Sequence, residues 1–461
     1  MRSKRLSCVL LATGILVSMT SCGGPQAGTP PPVAATPALP AAGAPAAPGA
    51  APTQSAAADT ADPKTYRLTL TGNWFMDTRI AFVMDGIWSG MGNLNEILDT
   101  ARRIRHTSEL SYFREWTKTA DWVLSLAEQS MAGGHGISAG HQYLRAAQYY
   151  LAAEVMLHTN PDDPRILSTY RKGGDCFFKG LTLLGEPVEL LAIPYEGTTL
   201  RGYFFRARGG SGRKPTLIVH QGYDAPVEST RHIADAAIER GYNCLLFEGP
   251  GQGLVLREKG LPFRPDWESV VTPVIDYIVR RPDVDSDSLI LMGISMGGGF
   301  AARAAAYEHR LKILVLNPGY VSFYDLFKDI LPEKLVNLYE EDPQVFNDKA
   351  LDELGSYDVG ARWGMHHGMW VFGAATPAEF IAALEAYDFT DAVPQIRATT
   401  VVMDGTGEQY GAGQSKRLYD LLTCPKHFMV FTEEEHAADH CQVGAPGLAT
   451  ERLFNWLDDN L

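Results

Sequence analysis

Gly293-Ile294-Ser295-Met296-Gly297 reads G-x-S-x-G. It follows Leu289 to Met292, an apolar run of strand length, and leads into Gly297 to Tyr307, an Ala-rich stretch that suits a helix. A serine on so sharp a strand-to-helix turn projects its Oγ over the end of a sheet. Glycine two residues before and after it lets strand and helix approach without side-chain clashes. The helix N-terminus behind the serine offers N–H groups and a positive dipole end to a developing oxyanion. The chemistry indicated is nucleophilic attack on a carbonyl carbon. The pattern alone arises by chance in a chain this rich in glycine; the strand, turn and helix around it give it weight.

A serine nucleophile needs a base, and the base needs a group to orient it. Around such an elbow the chain order is serine, acid, histidine, which directs the search to the C-terminal third. Asp404-Gly-Thr-Gly-Glu408 follows the apolar run Thr399 to Met403 and offers two carboxylates, Asp404 and Glu408. His436-Ala-Ala-Asp-His440 follows the run His427 to Phe431 and offers two histidines. The H-x-x-x-H spacing could set two metal ligands on one helical face, but no H-E-x-x-H and no third ligand cluster accompany it. No metal and no organic cofactor are expected. His220-Gln-Gly-Tyr-Asp224 follows the run Thr216 to Val219. An oxyanion hole should pair the Met296 N–H with that of Tyr223, or of Gly222 in its place. Glu248-Gly-Pro-Gly-Gln-Gly253 lacks the G-K-[ST] of a phosphate loop and reads as a strand-end loop near the pocket.

These residues require a sheet to hold them. From Val188 onward, apolar runs of strand length alternate with helix-compatible segments, beginning with a hairpin across Tyr-Glu-Gly-Thr. The alternation predicts an α/β fold with a mostly parallel, doubly wound sheet over residues 188–461, its site at the carboxyl ends of the strands. Residues 319–392 interrupt it with aromatic-rich helical pieces and read as a lid. Residues 64–187 are helical in pattern: Phe113, Trp116, Ala120, Val123 and Ala127 recur at spacings of three and four, as do Leu144, Ala147, Leu151 and Val155. They read as a cap over the site. His106, His135, His141 and His158 lie there and read as surface or core histidines.

The formal net charge is −14, and no basic cluster stands outside the extreme N-terminus, so nucleic acid is not an expected partner. Arg2, Lys4 and Arg5 followed by the apolar stretch Leu6 to Val17 make residues 1–21 an export signal, and Met19-Thr-Ser-Cys22 resembles a bacterial lipobox with Cys22 lipidated. Residues 23–63 are Ala/Pro-rich and nearly uncharged, the composition of a disordered tether. The expectation is an exported cell-envelope lipoprotein, anchored to a membrane through Cys22; Gly23 in place of aspartate favours the outer one. Secretion is the alternative. Cys176, Cys244, Cys424 and Cys441 show no zinc spacing, and their pairing is left open. So is the oligomeric state, a dimer included.

Taken together, Tyr143-Leu-Arg-Ala-Ala-Gln-Tyr-Tyr150, Ile193-Pro-Tyr-Glu-Gly197, His220 to Asp224, Gly249 to Gly253, Gly293 to Gly297, Asp404 to Gln409 and Asp439-His-Cys-Gln442 resemble the α/β-hydrolase superfamily. The branch is the helical-cap one that includes 2,6-dihydroxypseudooxynicotine hydrolases, fungal polyketide-shortening hydrolases and fermentation–respiration-switch esterases. The resemblance spans about Lys64 to Leu461. It implies a Ser295–acid–His triad. The run Asp439-His440-Cys441 matches the family's acidic–His–Cys run and implies His440 as base, with His436 the alternate. Glu408 stands where many such hydrolases carry G-x-x-D, and Asp404 is the alternate acid. The departures are Glu408, Gln221 and Glu248. The implied substrate is a small-molecule acyl or ketone compound: a carboxylic ester of a small to medium apolar group, with β-diketone C–C cleavage or exopeptidase action as alternatives. A dead hydrolase fold retained for binding would require a broken triad, and serine, acid and histidine all stand in order.

Overall fold

A strand buried on both faces must carry an apolar run, and each central strand here does. In the central strand Val284–Ile294, Ile290 and Met292 join a core shared with the N-terminal helices, while Leu289 and Leu291 join the opposite one. The computed structural model describes residues 68–461 except 106 and 107. The signal, Cys22, the tether and His106 lie outside the described residues.

Five helices open the described chain: α1 Trp74–Asp85, α2 Leu94–Arg103, α3 Glu109–Ala132, α4 Gly136–Glu154 and α5 Pro164–Leu183. Asn73, Ser108 and Asp163 cap α1, α3 and α5 with their side chains. Both apolar stripes are buried, with Trp116, Ala120, Leu144 and Ala147 fully so. The hairpin β1 Val188–Tyr195 and β2 Thr198–Phe205 follows. The alternating part then runs β3 Lys214–His220, α6 Arg231–Glu239, β4 Asn243–Phe247, α7 Gly253–Lys259, α8 Glu268–Ile278, β5 Val284–Ile294, α9 Met296–Tyr307 and β6 Leu311–Asn317. Between β6 and the next strand stand α10 Phe323–Ile330, α11 Glu333–Glu341, α12 Pro343–Tyr357, α13 Val359–Phe372 and α14 Pro377–Ala383. The chain closes with β7 Thr399–Gly405, α15 Gln414–Leu421, β8 Lys426–Phe431 and α16 Pro446–Asn460.

The eight strands form one sheet in the order β1-β2-β4-β3-β5-β6-β7-β8. β1 and β2 pair antiparallel with each other, as do β2 and β4, and all later neighbours are parallel. The described residues fold as one compact unit. Trp363 of α13 donates its indole N–H to the Val155 carbonyl at 2.7 Å, tying the insertion to the N-terminal helices. Cys176, Cys244, Cys424 and Cys441 are free thiols. Among the described residues no helix is long and apolar enough to cross a membrane.

Candidate active site

Ser295 joins β5 to α9 at φ 58°, ψ −131°, a conformation that side-chain-bearing residues rarely hold. The surroundings enforce it. The Ser295 N–H donates to the Asn317 carbonyl at 2.7 Å, tying the turn to the end of β6. A Cβ on Gly293 would lie 1.9 Å from the Gly297 carbonyl oxygen, so no larger residue fits where strand and helix cross.

His440 and Glu408 reach the same point from the loops after β8 and β7. His440 Nε2 lies 3.0 Å from Ser295 Oγ, and His440 Nδ1 lies 2.6 Å from Glu408 Oε2. His440 and Glu408 are both buried. The other oxygen of Glu408 accepts the Tyr410 N–H at 2.9 Å and the Tyr320 hydroxyl at 3.2 Å. Burial alone would raise the Glu408 pKa; the His440 charge, its hydrogen bond and the N–H groups of Tyr410 and Gly411 outweigh it and hold the carboxyl below its ordinary value. Burial likewise opposes charge on His440, yet the Cys441 sulfur, 3.3 Å from Nε2, and the Glu408 carboxylate raise its pKa well above the ordinary histidine value.

The alternates fall elsewhere. Asp404, the last residue but one of β7, takes the Gly405 N–H at 3.1 Å and makes no hydrogen bond to His440. Burial first, then the nearby Glu408 charge, push its pKa up to about 6. His436 is exposed on the turn that precedes His440. Met296 begins α9, and a Cβ on Gly222 would lie 2.5 Å from its nitrogen, so the loop after β3 lies directly against the elbow. Tyr223 follows on that loop. Its hydroxyl donates to the Gly364 carbonyl at 2.6 Å and its own carbonyl meets His367 Nε2 at 3.0 Å, both on α13.

Gln252 closes the arrangement from the glycine-rich loop after β4. Its side-chain N–H groups reach the carbonyls of Gln221 and, at 3.4 Å, Gly222, while its oxygen accepts the Gly249 N–H at 2.9 Å. Glu248 stays in the interior, accepting the Tyr170 hydroxyl at 2.8 Å. The sequence points to the segments that carry Gln252, Tyr320 and His367 without marking these side chains, whose contacts join segments from 31 to 144 residues apart.

Ser295, His440, Cys441, Gly222 and Tyr223 line one cavity of about 170 Å³. Its walls include Phe82, Leu151, Val155, Ile233, Met403 and Leu453, from both the N-terminal helices and the sheet domain.

No protein-family model matches the sequence. The hydrolase LUC6 of a Fusarium species is 32% identical over 382 residues, covering 79% of this chain and 91% of that protein. The alpha/beta hydrolase psoB of Aspergillus fumigatus is 32% identical over 394 residues, 79% of this chain and 88% of its own. The chain belongs to the α/β-hydrolase family. Among solved structures, the 2,6-dihydroxy-pseudo-oxynicotine hydrolase matches this hydrolase with a TM-score of 0.66 at 20% identity, over 82% of this chain and 95% of that one, a likeness of fold. This hydrolase thus shares the fold of an enzyme family, and fold alone does not set its substrate.

Proposed function

We propose that this α/β-hydrolase is a serine hydrolase cleaving carboxylic esters of small to medium apolar acyl groups. The observation that carries the reading is the unbroken line from Ser295 Oγ through His440 to Glu408, opening on a largely apolar cavity. Ser295 Oγ attacks the ester carbonyl and gives its proton to His440 Nε2. Glu408 holds the ring and stabilises the imidazolium. The Met296 and Tyr223 N–H groups donate to the tetrahedral oxyanion. His440 then protonates the departing alkoxide, leaving an acyl-serine. Water, deprotonated by His440, attacks that ester, and collapse returns the proton to Ser295 and releases the acid. No metal or organic cofactor enters these steps.

A cavity of about 150 Å³ holds a benzene ring. The 170 Å³ here therefore suits an acyl group of roughly six carbons. A p-nitrophenyl ester series tests this: kcat/KM should peak near butanoate to octanoate and fall for longer chains. A flat profile to dodecanoate, or no turnover of any ester by folded protein, contradicts the reading. A 1,3-diketone in the same panel reports on the alternative bond: its cleavage would move the broken bond from C–O to C–C.

The pH profile has a definite sign. A protonated His440 cannot accept the serine proton, so kcat/KM should fall as pH drops through the raised pKa of the His440–Glu408 pair, with a midpoint above 6.5. Cys441→Ala removes one cause of that rise and should move the limb toward acid. An acidic limb centred below 6.5 in the wild-type enzyme contradicts the arrangement.

The N-terminal segment supports a second part of the proposal, that the enzyme is exported and held at a membrane by lipid on Cys22. Mass spectrometry of the mature N-terminus decides between a diacylglyceryl cysteine and an unmodified one.

A further inference from the structure

The cavity holds a cation for which the triad has no use. Arg79, in the middle of α1, lies over the rings of Phe75 and Trp363, its guanidinium carbon 4.8 Å from each centroid. It is ion-paired with Asp224, and each side chain is 14% exposed. Both residues line the cavity that contains Ser295 and His440. Aromatic faces above a guanidinium fix its plane, and the carboxylate fixes its rotation about that plane.

A guanidinium has five N–H donors. Among the described residues, Asp224 is the hydrogen-bond acceptor that Arg79 finds. Arg231, Arg257 and Arg362 have unpartnered nitrogens sealed inside protein; Arg79 has none that is sealed, and it lines the cavity. Among the described residues, Arg79 therefore brings to the cavity more oriented donors than Asp224 alone accepts.

Position and charge say what should fill them. Asp224 follows Tyr223, the oxyanion-loop residue, and consecutive Cα atoms are about 3.8 Å apart. The guanidinium thus stands one side chain away from the loop that would hold the reacting carbonyl. Tyr223 is fixed by His367 and Gly364, so this offset is fixed too. Asp224 already neutralises the cation and would repel a second carboxylate. A hydroxyl would bring a proton needing its own acceptor. A keto oxygen brings lone pairs only, matching an all-donor group.

Resting on the serine-hydrolase reading, we propose that Arg79 is a specificity-determining residue: held by Asp224 beside the oxyanion loop, it donates to a second, neutral keto oxygen of the substrate, a few bonds from the carbonyl that Ser295 attacks. The preferred substrate is then an oxo-acyl compound over the plain acyl compound of equal length.

The test compares p-nitrophenyl 3-oxohexanoate with p-nitrophenyl hexanoate. Arg79→Met keeps an unbranched stem against Phe75 and Trp363 and removes every side-chain N–H. Comparing the oxo-to-plain ratio of kcat/KM between variant and wild type cancels the intrinsic reactivity of the two esters. The ratio should fall roughly 10- to 100-fold in Arg79→Met, the scale of a lost charge-assisted hydrogen bond. An equal ratio in the two proteins overturns the proposal. If Arg79→Met lowers the melting temperature, Arg79→Lys carries the test, since it keeps the charge and loses the planar fork: the ratio must fall there too, and an unchanged ratio overturns the proposal. The Kd of each ester for Ser295→Ala, with and without Arg79→Met, separates the two readings. If Ser295→Ala still turns esters over, the triad fails. A Kd ratio that Arg79→Met leaves unmoved counts against Arg79, whatever the fate of the triad.

Discussion

Replacing Ser295 by alanine should lower ester kcat by roughly ten-thousand- to million-fold while the protein stays folded. The size follows from the chemistry. Without Oγ there is no acyl-enzyme, and water must attack the carbonyl directly with only the cavity and the oxyanion donors assisting. KM should change little, because Ser295 contributes little ground-state contact. Folding should persist, because the strain at φ 58° is held by the Ser295 N–H bond to Asn317 and by the glycine contact beneath the turn, neither of which uses the hydroxyl. Circular dichroism and kinetics on the same sample check this. A variant within tenfold of wild type would remove Ser295 from the mechanism.

The second large effect separates the two carboxylates. Glu408→Gln should cost roughly a hundred- to ten-thousand-fold in kcat, because an amide cannot stabilise the imidazolium and can hold the ring in the wrong tautomer. Glu408 is 2.6 Å from Nδ1, whereas Asp404 makes no hydrogen bond to the ring. Asp404→Asn should therefore cost less than tenfold. Glu408→Gln should also shift the acidic limb of kcat/KM toward lower pH, since the carboxylate helps to raise the His440 pKa. The reverse ranking of the two variants would hand the acid's role to Asp404.

The sheet could be read from the sequence because its signals are local. β3, β4, β6, β7 and β8 announce themselves as short apolar runs between turn residues, and the elbow by its glycines. The strand β5 begins at Val284, five residues before its apolar run. Val284 pairs with Lys214 and Leu289 with Thr216, so Asp285 to Ser288 form an irregularity that hydropathy does not reveal. The helix α7 hides behind Gly249-Pro-Gly-Gln-Gly253, which reads as loop from its composition. The site divides in the same way. Serine, acid and histidine can be sought on strand-end loops by chain order, but choosing between Glu408 and Asp404 needs the loop's path in space: the Glu408 N–H turns back onto the Gly405 carbonyl at 3.0 Å, and the Gly407 N–H is held by the Ala438 carbonyl at 2.9 Å. Arg79 had no signal at all. It is one arginine in a helical segment, and its meaning comes from Asp224, 145 residues away.

Every step of the proposed reaction depends on Ser295 as nucleophile and His440 as its base. Fluorophosphonate labelling of the purified protein, read by peptide mass spectrometry beside His440→Ala and His436→Ala, tests that assignment most directly. An adduct is expected on Ser295 in the wild type and in His436→Ala, with loss of that adduct in His440→Ala. An adduct elsewhere, no adduct on a folded protein, or labelling that depends on His436 and not on His440 would contradict it.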